Sequence, residues 1–575
     1  MATTFSNELR VRVPGDNGLA RAIAFATASH GRAAATLVLV CLLAFLPGFF
    51  RLPPIDRDEA RFAQATKQMV ETGDYIDIRF QHEVRYKKPV GIYWAQAGVI
   101  KAAEALGVPG ARTRIWLYRV PSLIGAMGAV LLTYWTALAF VSRRHAWLAA
   151  VMLATSILLG VEARLAKTDA MLLLTVVAAM GALARCYLGS AARAGAARSW
   201  IVPLIFWAAL AGGVLLKGPL IVLIVGLACL ALVVADRSAR WLMTLRPLPG
   251  LCLFAVLVAP WFLAIVARAG DSFFVESIGR DLLGKVATGQ ESHGAPPGYY
   301  SVLFWLTFWP AAPLAALAAP AIWTERREAH HRFLLAWLVP SWIVFELAIT
   351  KLPHYVLPLY PAVAILIART VEHGRLSEQP WLRRATVGWA IIPMVVAVLA
   401  VGALFMLRRQ FGVIAWPFAA GAIVLGFLAW QTYRLEGAER SFLRAAAASV
   451  LMAVAVYGAI MPLLRPLFPS AALARALADP GCENPAVAAA GFHEPSLVFL
   501  VGTATRLTDG SGAADFLAQG PCHFALVEAR QERAFVHRAE TIGLRYTAAR
   551  QRVEGINING GRSLSIAIYR SGGER

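Results

Sequence analysis

Of 575 residues, 58% are hydrophobic and only 15% charged, which excludes an ordinary soluble domain and marks an integral membrane protein. The net charge of +21 would suit a nucleic-acid binder in a soluble chain. No nucleic-acid-binding module accompanies that charge, whereas basic loops facing the cytoplasm and anionic headgroups account for it; nucleic acid is excluded as a partner and membrane lipids are expected.

Residues 1–33 carry Arg10, Arg12, Arg21 and Arg32 and read as a cytoplasmic N-terminal segment. The first apolar run has no small-residue cleavage site after it, so it reads as a retained helix. Runs able to cross or nearly cross a bilayer lie at 34–50, 116–141, 146–161, 169–188, 200–216, 219–235, 247–267, 299–322, 333–349, 355–369, 386–407, 413–433 and 443–464. The expected fold class is therefore an α-helical polytopic membrane protein of about thirteen spans over 34–465, followed by a C-terminal α/β domain over 466–575. With the N-terminus inside, six short cytoplasmic loops hold 18 Lys and Arg and four opposite ones hold 6, in keeping with the positive-inside rule. The outer face then receives the loops 51–115 and 268–298 and the tail.

Within 51–115, residues 60–71 and 90–106 have helix-compatible patterns, broken by Gly73-Asp74 and Lys88-Pro89. In the tail, 496–502, 523–528 and 563–569 read as strands, and Asn559-Gly560-Gly561 supplies turn chemistry for a hairpin ending in the last of them. Cys41, Cys186, Cys229 and Cys252 fall in or beside apolar runs. Cys482 and Cys522 are the only two in the tail, where an oxidising compartment favours pairing them.

The ionisable clusters without a cytoplasmic-loop explanation all fall on the outer face. They are Asp58/Glu59/Arg61, His82/Glu83/Arg85/Lys87/Lys88, Arg164/Lys167/Asp169, Lys217, Arg280/Asp281/Lys285, Glu291/His293 and Lys351/His354/Tyr355. Both signs of charge brought to one membrane face point to a site, because charge beside hydrocarbon is costly unless paired or used. Lys217-Gly218-Pro219 also fits interfacial snorkelling. A transporter or flippase for a lipid-linked sugar is the reading from another class, but transporter sites lie near the midplane between repeats, and no internal repeat is visible.

Asp58-Glu59-Ala60-Arg61-Phe62-Ala63, Glu71-Thr72-Gly73-Asp74-Tyr75 and Lys88-Pro89-Val90-Gly91-Ile92-Tyr93-Trp94 together resemble the first outer loop of the protein-O-mannosyltransferase-like glycosyltransferases of the C type. Within these, the chain is most similar to the lipid A aminoarabinose transferases of Gram-negative inner membranes. Ala166-Lys167-Thr168-Asp169, Leu216-Lys217-Gly218-Pro219, Phe273-Phe274-Val275-Glu276, His293-Gly294-Ala295-Pro296 and Lys351-Leu352-Pro353-His354-Tyr355 extend the resemblance over most of the membrane region. It is much weaker over the tail.

The resemblance implies a multi-pass inner-membrane enzyme with a periplasmic active site. It would move 4-amino-4-deoxy-L-arabinose from undecaprenyl phosphate to lipid A phosphates, a modification linked to polymyxin resistance. Related transfer to protein or another glycan is the alternative within the class. Lys88, Arg280 and Tyr355 match the positions that hold the donor phosphate, with Arg61 and Lys87 as further contacts. Asp58 matches the catalytic aspartate, either as a general base or, for an acceptor already anionic, as a group that positions acceptor or sugar with help from Asp169. No cofactor is required by this chemistry. His82, Glu83 and His293 could supply a divalent metal site such as zinc, although no ligand spacing demands it. Lys87-Lys88-Pro89 stands where many relatives have Glu-Lys-Pro, which puts any feature relying on that glutamate in question.

Overall fold

The computed structural model describes residues 17–571 apart from 192–198, 278, 280–293, 479–481, 483–484 and 559. Seven helices among these residues are long and apolar enough to cross a membrane. The count is eight if α1 (Asn17–Thr27) and α2 (His30–Phe45), bent by 117° at their junction, make one span. The thirteen apolar runs include pieces that the fold shortens or breaks. The run at 146–161 becomes α6 (Arg143–Ala154) and α7 (Ile157–Glu162), parted where the Thr155 and Ser156 hydroxyls bond back to Val151 and Leu153 carbonyls. The run at 299–322 divides into Tyr299–Thr307 and Ala312–Thr324, because Pro310 has no N–H to give a helix. Helices α9 (Ile201–Lys217) and α10 (Leu220–Asp236) are apolar but only 17 residues each.

Helix α8 (Asp169–Ala191) is central, packed between α5 (Ile115–Ala137) and α9. Two glycines let the site-bearing elements meet. A Cβ on Gly125 of α5 would lie 2.8 Å from the Met171 nitrogen, so only glycine allows α5 to close on the first turn of α8. A Cβ on Gly91, at the start of α4 (Gly91–Ala105), would lie 2.7 Å from the Leu215 carbonyl oxygen near the end of α9. These contacts fix Asp169 and Lys217 relative to the first outer loop. That loop contains α3 (Asp58–Thr72), a hairpin of β1 (Arg79–Phe80) and β2 (Glu83–Val84), and α4.

The tail holds a five-stranded sheet in the order β4-β3-β5-β7-β6, with β3 (Ala486–Ala490), β4 (Arg506–Thr508), β5 (His523–Glu528), β6 (Tyr546–Asn557) and β7 (Arg562–Ser571). β4, β3 and β5 are parallel; β7 joins β5 and β6 antiparallel. The expected strands at 523–528 and 563–569 are present, and the expected hairpin pairs Asn557 with Arg562. Asn559 lies outside the described residues. Cys482 and Cys522 form a disulfide, their Cα atoms 5.9 Å apart.

The expected strand at 496–502 is instead a helix, Pro495–Val501. Proline fits the first position of a helix, and a short apolar run has no periodicity to separate strand from helix. This helix docks the tail on the membrane domain. Phe499 packs edge-on against Tyr118 at 5.2 Å, and its carbonyl accepts from the buried Lys67 of α3 at 2.9 Å. Gln64 Nε2 donates to Thr503 Oγ1 at 2.8 Å, and Gln81 Nε2 to the Thr505 carbonyl at 2.6 Å. The tail thus rests on the same helix that begins with Asp58.

Candidate functional site

A cavity of about 370 Å³ opens where the first outer loop meets the start of α8, the end of α9 and residues 344–355. Its lining includes Asp58, Arg61, Lys87, Lys88, Asp169 and Tyr355, so six of the expected site residues converge. Arg280 and His293 lie outside the described residues. His82 and Glu83, expected as metal ligands, are exposed on the β1–β2 hairpin and are not among the cavity-lining residues.

Asp58 is the first residue of α3 and is exposed at the cavity. The backbone in front of it is strained: Arg57 has φ +70° and ψ −104°, outside the regions that side-chain-bearing residues favour. What holds that turn is Glu59, one residue on. Its carboxylate accepts from the Ile55 N–H at 2.8 Å, from the Ala166 N–H at 2.9 Å and from both sides of the Arg119 fork at 2.7 and 2.9 Å. Arg119 is fully buried and also donates to the Phe49, Leu52 and Pro53 carbonyls. Asp58 is therefore presented to the cavity by a neighbour that is buried and fully bonded.

On the opposite wall, Asp169 is paired with Lys217, whose ammonium also lies 5.5 Å from the Tyr355 ring centroid. Lys167 stands 3.1 Å from Glu162 and 3.8 Å from Asp169. The His354 ring bridges the two acids, with Nδ1 3.7 Å from Glu162 and Nε2 3.5 Å from Asp169. Glu162, Asp169 and His354 are close enough to share a metal ion, all ligand atoms within 4.8 Å of one another. Each carboxylate already has an ammonium beside it, so the chain's own cations compensate this cluster. Glu162 and Arg119 were missed in the sequence as site-supporting residues. A charge inside an apolar run for Arg119, and directly at the end of one for Glu162, was the available clue.

Asp56, which also lines the cavity, accepts the Ser496 N–H from the tail at 3.0 Å. Burial is the main reason its carboxyl is pushed up to about 6 from the ordinary 3.8, with Glu494 nearby acting in the same direction. The folded chain thus binds more protons than the unfolded one between these values, and stability falls as pH rises through that window. Asp56→Asn removes the titration. The melting temperature of the variant relative to wild type is expected to climb as pH rises towards about 6 and then level off. A difference that stays flat with pH would show that Asp56 is not buried in this way.

The family model of dolichyl-phosphate-mannose-protein mannosyltransferase matches residues 62–271, from the first outer loop through α11 (Pro247–Ala269). ArnT from Cupriavidus metallidurans, solved bound to undecaprenyl phosphate, has the same fold at a TM-score of 0.70 and 18% identity, over 93% of this chain and 97% of that one. The chain is a membrane glycosyltransferase, similar in this region to the protein-O-mannosyltransferase-like enzymes. Among its relatives are two enzymes named undecaprenyl phosphate-alpha-4-amino-4-deoxy-L-arabinose arabinosyl transferase. The one from Edwardsiella ictaluri (strain 93-146) is 28% identical over 451 residues, 74% of this chain and 76% of the relative. The one from Pseudomonas aeruginosa (strain UCBPP-PA14) is 29% identical over 443 residues, 74% and 75% of the two. The cavity lies where the first outer loop meets the ends of α8 and α9.

Proposed function

We propose that this glycosyltransferase moves 4-amino-4-deoxy-L-arabinose from undecaprenyl phosphate to phosphate groups of lipid A on the periplasmic face of the inner membrane. The observation that carries the reading is the meeting of Asp58, Lys88, Asp169 and Tyr355 in one cavity beside the membrane helices. The names of the two arabinosyl transferases supply the sugar and the donor. Lipid A follows from the resemblance of the motifs.

In this reaction an oxygen of the acceptor phosphate forms a bond to the sugar's anomeric carbon as the bond from that carbon to the donor phosphate breaks. Undecaprenyl phosphate leaves with an additional negative charge. Fixed cations and hydroxyl donors aimed at that charge stabilise the transition state more than the ground state. Lys88 and Tyr355 are assigned to the donor phosphate, with Arg61, Lys87 and Arg280 completing its surroundings. An acceptor phosphate is anionic near neutral pH and scarcely needs a base. Asp58 is therefore assigned to positioning, through the sugar's amino group or the acceptor, with Asp169 held in place by Lys217. The reading calls for no resident cofactor.

The test is mass spectrometry of lipid A from cells that make the lipid-linked aminoarabinose but lack their own transferase, carrying either this chain or its Asp58→Asn variant. A gain of one aminopentose on lipid A with the unmodified chain alone is expected. No gain, with insertion and donor supply verified, would overturn the lipid A assignment and turn the search to protein or glycan acceptors.

A further inference from the structure

Six lysines and arginines are buried among the described residues: Lys67, Arg85, Arg119, Arg164, Lys167 and Lys351. Five have their charge met. Lys67 donates to the Phe499 carbonyl, Arg119 to Glu59, Arg164 to the Ala44, Pro47 and Gly160 carbonyls, Lys167 to Glu162, and Lys351 to the Glu346 and Ala348 carbonyls. Arg85 differs. It is 9% exposed and lines the cavity, yet among the described residues no carboxylate or carbonyl receives its guanidinium, and its Nε is sealed from solvent without an acceptor there. The guanidinium lies over the Phe62 ring, 5.2 Å from its centroid, and Phe62 in turn packs against Tyr93 at 5.5 Å. Its backbone N–H is tied to the Ile78 carbonyl at 2.8 Å.

A guanidinium taken out of water without a counter-charge is strongly unfavourable, and such a group is expected to meet an anion that arrives with a ligand. The proposed function brings two phosphates into this one cavity, because the sugar passes from one to the other. Lys88 and Tyr355 are assigned to the donor phosphate, while Lys167 and Lys217 are answered by Glu162 and Asp169. Arg57 also lines the cavity but is partly exposed, so among the buried cations of the lining that leaves Arg85, a planar donor able to offer two parallel N–H groups to two phosphate oxygens.

We propose that Arg85, held over the Phe62 ring at the cavity wall, binds the acceptor's phosphate group. The proposal rests on the reading of the chain as a transferase to a phosphate acceptor, and it adds the residue that selects an anionic acceptor over a neutral one.

The test compares wild type, Arg85→Met and Arg85→Lys as full-length protein in lipid nanodiscs. Three quantities are read: melting temperature, affinity for undecaprenyl phosphate, and KM and kcat for lipid A with lipid-linked aminoarabinose as donor. Arg85→Met is expected to raise the acceptor KM by about tenfold or more. Its melting temperature is expected to hold or rise, since a buried uncompensated charge has gone, and its undecaprenyl phosphate affinity to match wild type. Arg85→Lys is expected to recover part of the loss, as a point charge replaces a fork. An unchanged acceptor KM in Arg85→Met would overturn the assignment. So would a loss of undecaprenyl phosphate affinity, which would move Arg85 to the donor phosphate, or a fall in melting temperature without a change in KM, which would make it structural. Wild-type protein that binds undecaprenyl phosphate but modifies no phosphate acceptor would instead sink the proposed function itself.

Discussion

Asp58→Asn is expected to cut sugar transfer by about 10²-fold or more, the scale on which misplacing the reactants acts, while the protein still folds and inserts. The expectation of intact folding comes from the side chain's surroundings. Asp58 is exposed at the cavity and, among the described residues, no hydrogen bond to its carboxylate is found. Its conformational service is confined to the first turn of α3, where a carboxylate is worth about 0.3–1 kcal/mol against the helix dipole. Asparagine keeps the shape and removes the charge. A large fall in turnover with little change in melting temperature therefore separates reaction from folding. Turnover at the wild-type level would remove Asp58 from the reaction and leave the strain at Arg57 without a functional reason.

Arg119→Met is expected to have the largest effect on stability, about 3–5 kcal/mol, the cost of leaving one member of a buried ion pair without its partner. Both side chains are almost wholly inaccessible, 0% and 1% exposed, so solvent cannot compensate Glu59 once the fork is gone. Three carbonyls on 49–53 lose their donor in the same substitution. Because Glu59 also holds the Ile55 and Ala166 N–H groups, the loss is expected to reach the cavity through the turn that carries Asp58. The double variant Arg119→Met, Glu59→Gln should recover part of the stability, since a neutral amide is far cheaper to bury than an unpaired carboxylate. Thermal unfolding of the two single variants and the double variant measures the coupling. A loss below about 1 kcal/mol for Arg119→Met would mean that water reaches Glu59 and that this pair does not set the loop.

Several determinants are local and could be read from the sequence alone. Membrane class, most apolar spans and the two helices of the first outer loop follow from hydropathy and periodicity, because a backbone leaving water must satisfy its own hydrogen bonds within the segment. The motif from Asp58 to Trp94 named most of the loop's contribution to the cavity. The tail's β6–β7 hairpin was visible from turn chemistry flanked by apolar alternation.

Other features depended on what each segment packs against. The helix Pro495–Val501 reads as a strand until its apolar face meets α3, and the run at 299–322 looks continuous until Pro310 interrupts its bonding. Glu59 sits beside Asp58 and looks like the same kind of residue, yet Arg119, sixty positions away, buries one while the other faces the cavity. Likewise, nothing near Arg85 in sequence says that it has no counter-charge among the described residues, because that depends on every described element around it.

Composition and local pattern by themselves determined that this chain is a polytopic membrane protein with a charged outer loop, and the resemblance of that loop's motifs implied a glycosyltransferase. Only the tertiary structure decided that Asp58, Lys88, Asp169, Lys217 and Tyr355 share one cavity and that the tail braces α3. The physical reason is range. Hydropathy and turn chemistry act over a few residues, whereas compensation of buried charge and close approach at Gly91 and Gly125 exist only once distant helices have packed.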